Sequence, residues 1–165
     1  MSWWPTCARS SSAAFEYSRG MLAPGTAPSP MLGPVIALAL WTHVMWGWMF
    51  ATRLPAIGRA RMKLDPTARR GEQMNALPAE VRWKADNYNH LMEQPTVFYA
   101  VALTLALAGV DGGWSLAAAW AYVALRVAHS VWQSAVNEIK TRFALFVLSS
   151  LVLVGLTVRA ALSLF

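Results

Sequence analysis

Apolar residues fall along the chain in four long runs, at about residues 32 to 53, 85 to 108, 114 to 136 and 142 to 163. Each comes close to the roughly 20 residues that cross a hydrocarbon core. The pattern predicts an all-α membrane protein, a single bundle of four transmembrane helices. The second and third runs are separated by Gly109-Val110-Asp111-Gly112-Gly113, too short for anything but an antiparallel hairpin. The third and fourth are joined as tightly around Asn137 to Thr141, and only the first connection, Leu54 to Lys84, is long. Residues 1–30 carry many Ser, Ala, Pro and Gly without apolar periodicity, so they are expected to form a disordered tail ahead of one domain at 31–165. Met21 and Met31 are alternative starts. The first run is long and Trp-rich and lacks a small-residue cleavage site, which reads as a retained anchor rather than a signal peptide.

Composition supports lipid as the solvent: of 165 residues, 56% are hydrophobic and 13% charged, too apolar for an ordinary soluble domain. The formal charge of +6 would suggest nucleic acid if the basic residues formed a soluble patch. Instead Arg59, Arg61, Lys63, Arg69, Arg70, Arg82 and Lys84 crowd into the first connection, Lys140 and Arg142 sit at the third, and the second has none. That asymmetry puts the basic loop on the cytoplasmic side, both termini outside, and no nucleic acid among the partners. Cys7 is the only cysteine, which excludes an internal disulfide and a Cys-rich metal site. Trp41, Trp46, Trp48, Trp114 and Trp120 are either interfacial anchors or lipid-facing bulk.

Two polar faces interrupt the apolar runs. In the third, Arg126, His129, Ser130, Gln133 and Asn137 recur at helical spacing within an arc of about 100°. In the second, Asp86, Asn89, His90 and Glu93 form a similar arc that enters from the basic side. An ionised side chain at mid-membrane costs about 2.5–3.5 kcal/mol, so Arg126 needs a partner. At about 1.5 Å of rise per residue Glu93 lies about 12 Å deep and Arg126 about 16 Å, which makes Glu93 the expected counter-ion. Two accounts remain open. The residues form an interhelical hydrogen-bond network, or their clustering near one membrane face makes a ligand site. His90 and Glu93 lie one turn apart, but Arg126 nearby would repel a cation, so no metal is assigned. There is no Gly-x-Ser-x-Gly elbow for a hydrolase and no inverted repeat to suggest a transporter. Ser149, Ser150 and Thr157 are expected to bond their own helix backbone, and His43 is given no role. Pro95 removes the backbone donor that would serve Leu91, which predicts a kink or local opening.

The stretches ADNYNHLMEQPTVFYA, Ala85 to Ala100, and YVALRVAHSVWQSAVNEIKTRF, Tyr122 to Phe143, resemble the MAPEG family, the membrane-associated proteins of eicosanoid and glutathione metabolism. The similarity extends over about residues 31 to 165 in hydropathy order and loop lengths. It implies a four-helix subunit in a homotrimer, with glutathione bound between neighbouring subunits near the cytoplasmic face. For bacterial-type members it implies a multi-pass protein of the inner cell membrane. The family's second-helix Asn-x-x-Glu pair falls on His90 and Glu93, with Asn89 one residue early. The run Arg126 to His129 is similar to the third-helix motif of prostaglandin E synthase-type members, whose arginine and histidine contact glutathione. An ungapped reading then brings Arg142 to the thiol-activating arginine. Gln133 stands where that branch has tyrosine, and Phe143 where it has serine.

The implied chemistry has a simple physical basis. A free thiol with a pKa of about 8.5 is mostly unreactive at neutral pH, whereas its thiolate is a nucleophile. Lowering that pKa by about two units takes roughly 2.7 kcal/mol of preferential interaction with the anion, within reach of one partly desolvated arginine. The expected catalytic residue is therefore Arg142. Asn89, His90, Glu93, Arg126 and His129 are the expected glutathione-binding set, and Arg53 is a weaker candidate for a carboxylate contact. The implied activity transfers the thiol to, or uses it to reduce, a small hydrophobic electrophile dissolved in the bilayer. The alternative is a non-catalytic binding or assembly module of the same fold, favoured by Gln133 and Phe143.

Overall fold

The computed structural model describes residues 28–69 and 71–165. Cys7, the alternative start Met21 and nearly all of the expected tail lie outside the described residues. Among the described residues four α-helices follow one another: α1 Leu32–Arg59, α2 Ala79–Leu107, α3 Gly113–Ala135 and α4 Ile139–Leu164, with a 3₁₀ turn at Gln73–Ala76 in the long connection. α1 packs chiefly on α2 and α3 on α4, while α2 also meets α3 and α4 and closes the bundle.

Each predicted run holds a helix, but α1, α2 and α4 overrun their apolar runs on the basic side. α1 continues through Pro55 to Arg59, and α2 begins at Ala79, six residues before the run at 85. Hydropathy reports where a helix enters lipid; the backbone stays helical for as long as good helix formers continue, as in Ala79-Glu80-Val81-Arg82-Trp83-Lys84. Pro78 stops α2 from starting earlier, since its extended backbone (φ −52°, ψ 146°) sits just outside the first turn. Pro95 lies buried inside α2, and the helix runs on to Leu107. Gly109 and Gly113, at φ +69° and +57°, make the tight α2–α3 turn, where a side chain would be strained. In the long connection Asp65 and Gln73 clamp each other, Asp65 N–H donating to Gln73 Oε1 (3.0 Å) and Gln73 Nε2 to the Asp65 carbonyl (2.6 Å). Hydrogen bonds from the Thr67 side chain and backbone hold the Asp65 carboxyl below the usual carboxylate range.

The core joins Leu38 and Met45 of α1 with Leu91, Phe98 and Leu105 of α2, Ala119 and Tyr122 of α3, and Leu153 and Leu156 of α4. Phe98 and Tyr122 stack with ring centres 4.6 Å apart. The outer surface is also apolar: Ile36, Leu40 and Val44 on α1 and Leu151, Val154, Val158 and Leu162 on α4 are all exposed. Rows of this kind would be an aggregation liability in water and are the ordinary lipid face of a membrane bundle. α1 and α4 are long and apolar enough to cross a membrane. α2 and α3 carry the polar faces and are less apolar, and α3 turns that face inward, burying Arg126, His129, Ser130, Gln133 and Ser134.

The helix-bonding hydroxyls behave as expected. Ser149 and Ser150 donate to the Phe146 carbonyl and Thr157 to that of Leu153, each at 2.8 Å. Nδ1 of His43 lies 2.8 Å from the Ala39 carbonyl of its own helix. Among the tryptophans, Trp46, Trp114 and Trp120 are exposed, whereas Trp41 and Trp48 lean against the core.

Candidate functional site

Among the described residues Arg126 is the largest fully buried side chain. Its Nη2 donates to the His90 carbonyl (2.9 Å), and its Nη1 lies 3.4 Å from Gln94 Oε1. Gln94 in turn donates through Nε2 to Ser150 Oγ at 2.5 Å, so one polar chain crosses from α3 through α2 to α4. The expected counter-ion is not the partner: Glu93 is 69% exposed and approaches Nδ1 of His90 (3.5 Å). Helical geometry explains the difference, because Glu93 is rotated about 100° from Gln94 and points away from α3. Neutral acceptors take the arginine instead. The carbonyl it uses belongs to His90, one residue before the Leu91 carbonyl that Pro95 deprives of a donor.

One turn nearer the basic side the residues converge. His129 is buried, its ring edge-on to His90 with centres 6.1 Å apart, and 6.3 Å from the ring of Phe146. His90, His129 and Arg142 line one cavity of about 200 Å³ with Ile139, Phe143 and Phe146. Arg142 comes from the first turn of α4, and its Nη1 donates to Asn137 Oδ1 (2.8 Å). Asn137 adopts a left-handed backbone, φ +55°, in the α3–α4 turn, a conformation asparagine tolerates better than most side chains. Glu138 then caps α4 by accepting from the Thr141 amide (3.1 Å) and hydroxyl. Those bonds, the hydroxyl's first, hold the Glu138 carboxyl below its usual range.

The expected set is therefore divided. His90, His129 and Arg142 share a cavity, Arg126 lies behind it as a support for the His90 backbone, and Glu93 stands outside beside His90. Asn89 belongs to a different cleft of about 280 Å³, with Arg53, Arg82 and Asp86, roofed by Gly71, Met74 and Asn75 of the long connection. Gln94 and Ser150 were not anticipated. Gln94 had a signal in the sequence, lying one turn after His90 on the same face. Ser150 had none beyond its ability to bond its own helix.

A second interhelical contact is buried nearby, Asn87 Nδ2 donating to Ser130 Oγ (2.6 Å). Several buried polar atoms close to it have no partner among the described residues: both ends of the Gln133 amide, His129 Nδ1, Ser134 Oγ and Asn87 Oδ1. Buried polar groups normally find partners, so an α3 face with several orphans fits a bundle that also accommodates water or ligand.

A family model described as the MAPEG family matches residues 31–162, most of the chain. The chain belongs to the MAPEG family. No curated protein and no solved structure gives a significant match. As a MAPEG protein it is a membrane protein of the glutathione- and eicosanoid-metabolism type, which agrees with the exposed apolar rows of α1 and α4. The MAPEG match ends three residues before the chain does and takes in every residue of both clefts.

Proposed function

We propose that this protein is a four-span membrane enzyme that binds a small thiol, glutathione or a close analogue, and transfers it to a hydrophobic electrophile drawn from the bilayer. The observation that carries this reading is the cavity in which a cation, Arg142, meets two imidazoles, His90 and His129, beside apolar Ile139, Phe143 and Phe146. Ile139 and Phe143 are 71% and 65% exposed, so the apolar wall is open to lipid. A polar half that favours an anion and an apolar half that admits a lipophile are what thiol transfer to a membrane-dissolved substrate requires.

In the transfer, the thiol gives its proton to water as Arg142 stabilises the resulting thiolate. The sulfur pair then attacks an electrophilic carbon. A C–S bond forms, and the displaced pair leaves with the leaving group or, at an activated double bond, takes a proton from water. Reduction of a hydroperoxide at the same site would consume two thiols, giving disulfide, alcohol and water. Arg126 acts at a distance from sulfur: by holding the His90 carbonyl it fixes the α2 backbone against α3.

The division of the expected residues between two clefts supports assembly as a homotrimer. Arg53, Asp86 and Asn89 lie in one cleft and His90, His129 and Arg142 in the other. One chain thus offers two half-sites, and a neighbouring copy would bring the cleft with Arg53 to the peptide ends of a thiol held by Arg142. The basic connection supports a cytoplasmic placement of both clefts, in a cell membrane such as the bacterial inner membrane. The competing reading, a binding or assembly module, draws on Phe143 and on Gln133, whose buried amide has no partner among the described residues and stands where the prostaglandin E synthase-type branch has tyrosine. Turnover of a hydrophobic electrophile by the purified chain decides between them. An enzyme loses it with Arg142→Ala while staying folded and assembled; a module has none to lose.

A further inference from the structure

Next to the Arg53 cleft, with Val81 between them, and apart from the Arg142 cavity, the basic ends of α1 and α2 part to leave a groove of about 500 Å³. Its walls are small and apolar, Ala51, Pro55 and Ala56 from α1 and Val81 from α2, and its two cations are Arg59 and Lys84. Arg59 is exposed in the last turn of α1. Lys84 lies five residues into α2, about 7.5 Å beyond its first residue along the helix. The cations therefore sit at two depths along one groove.

Lys84 is held in place. Its Nζ donates to the Glu80 carbonyl (2.8 Å) and to the Ser134 carbonyl of α3 (3.2 Å), and lies 5.3 Å from the ring centre of Trp48. An ammonium carries three N–H donors, so two carbonyls leave one for a ligand. An immobilised ammonium loses little further entropy on binding, unlike a free surface lysine. Glu80 also lines the groove, but it is explained by the first turn of α2, where a carboxylate meets the positive helix end.

We infer that this groove is a headgroup site for an anionic phospholipid, its phosphate held between Arg59 and Lys84 and one acyl chain lying along the Ala51 and Pro55 side of α1. Three observations favour lipid over a soluble anion. The groove walls are apolar, Leu54 beside them is 60% exposed, and the chain carries +6 overall with its cations gathered in this connection. Basic pockets between helices on the cytoplasmic side suit such headgroups. The groove shares no residue with the Arg142 cavity and only the apolar Val81 with the Arg53 cleft, so its cations stand or fall independently of that chemistry.

The test is lipid retention by the full chain, purified in detergent and offered phosphatidylglycerol and phosphatidylcholine of identical acyl chains in equal amounts, read by native mass spectrometry. Phosphatidylglycerol should be retained in preference. Arg59→Gln and Lys84→Met should each lower the preference by about fivefold, whereas Arg61→Gln, outside the groove, should leave it unchanged. Arg59→Gln alters only an exposed helix end and guards against a folding defect in Lys84→Met. Equal retention of the two lipids would overturn the assignment. So would an equal loss with Arg61→Gln, which would mean diffuse attraction, or displacement of the lipid by millimolar inorganic phosphate, which would mean a soluble-anion site.

Discussion

The guanidinium of Arg142 is held by the side-chain oxygen of Asn137, 2.8 Å from Nη1, across the turn that joins α3 to α4. The acceptor is neutral, so it orients the arginine without cancelling its charge. Asn137 also occupies the turn's left-handed position, which couples the shape of the turn to the direction of the arginine. Asn137→Gly preserves the backbone and removes only the acceptor. It should leave thermal stability within about 1 kcal/mol and weaken thiolate formation, read as a rise in the pH midpoint of thiolate absorbance. Asn137→Ala loses the acceptor and strains the turn, and should also lose about 1–2 kcal/mol of stability.

Arg126 and Arg142 should separate in their effects. Arg126 is wholly buried and serves the His90 carbonyl and Gln94. Arg126→Ala removes both bonds, leaves Gln94 Oε1 without its donor and opens a cavity, and a loss of about 2–4 kcal/mol is expected in thermal or denaturant unfolding in detergent. Arg142 is half-exposed, and Arg142→Ala should change stability by less than about 1 kcal/mol while abolishing turnover. Equal destabilisation by both would argue for a purely structural network.

The buried bond from Asn87 to Ser130 ties α2 to α3. Ser130→Ala should destabilise by about 1–2 kcal/mol, the range for an interhelical hydrogen bond that leaves an amide unpaired. The double variant with Asn87→Ala should recover part of that loss, and a double-mutant cycle measures the coupling.

Glu138 predicts a pH dependence at the α4 N-terminus. Its carboxyl is held below the ordinary value of 4.5 in the folded chain, so the unfolded state binds the proton more readily. The cap's contribution is therefore complete above pH 4.5 and is lost as pH falls through the lower, folded-state value. The protection of the Thr141 amide, its exchange rate relative to that of an unstructured chain at the same pH, should fall only in that acid window, and Glu138→Ala should lower that protection at every pH.

Helix number, order and tight turns were legible because lipid demands long apolar runs and Gly-rich or Asn-containing turns punctuate them. Helix ends on the basic side were not, since hydropathy does not register a helix that continues into water, as α2 does from Ala79. In the site, periodicity brought His90 and His129 onto facing helices, and the structure keeps them together. It misassigned the partner of Arg126. Depth along the axis matches Glu93, but rotation about the axis selects Gln94, and one sequence specifies the first better than the second. The position of Asn89 in a separate cleft follows from the same rotation, one residue round from His90.

The most direct test of the thiol site is glutathione binding to the detergent-purified chain by calorimetry, comparing the native sequence with Arg142→Ala at matched oligomeric state. The account predicts saturable binding by the native protein and affinity at least about tenfold weaker in the variant, the effect of losing one charge-assisted contact of about 1.4 kcal/mol or more. Absence of binding at millimolar glutathione, or unchanged affinity in Arg142→Ala, would contradict it.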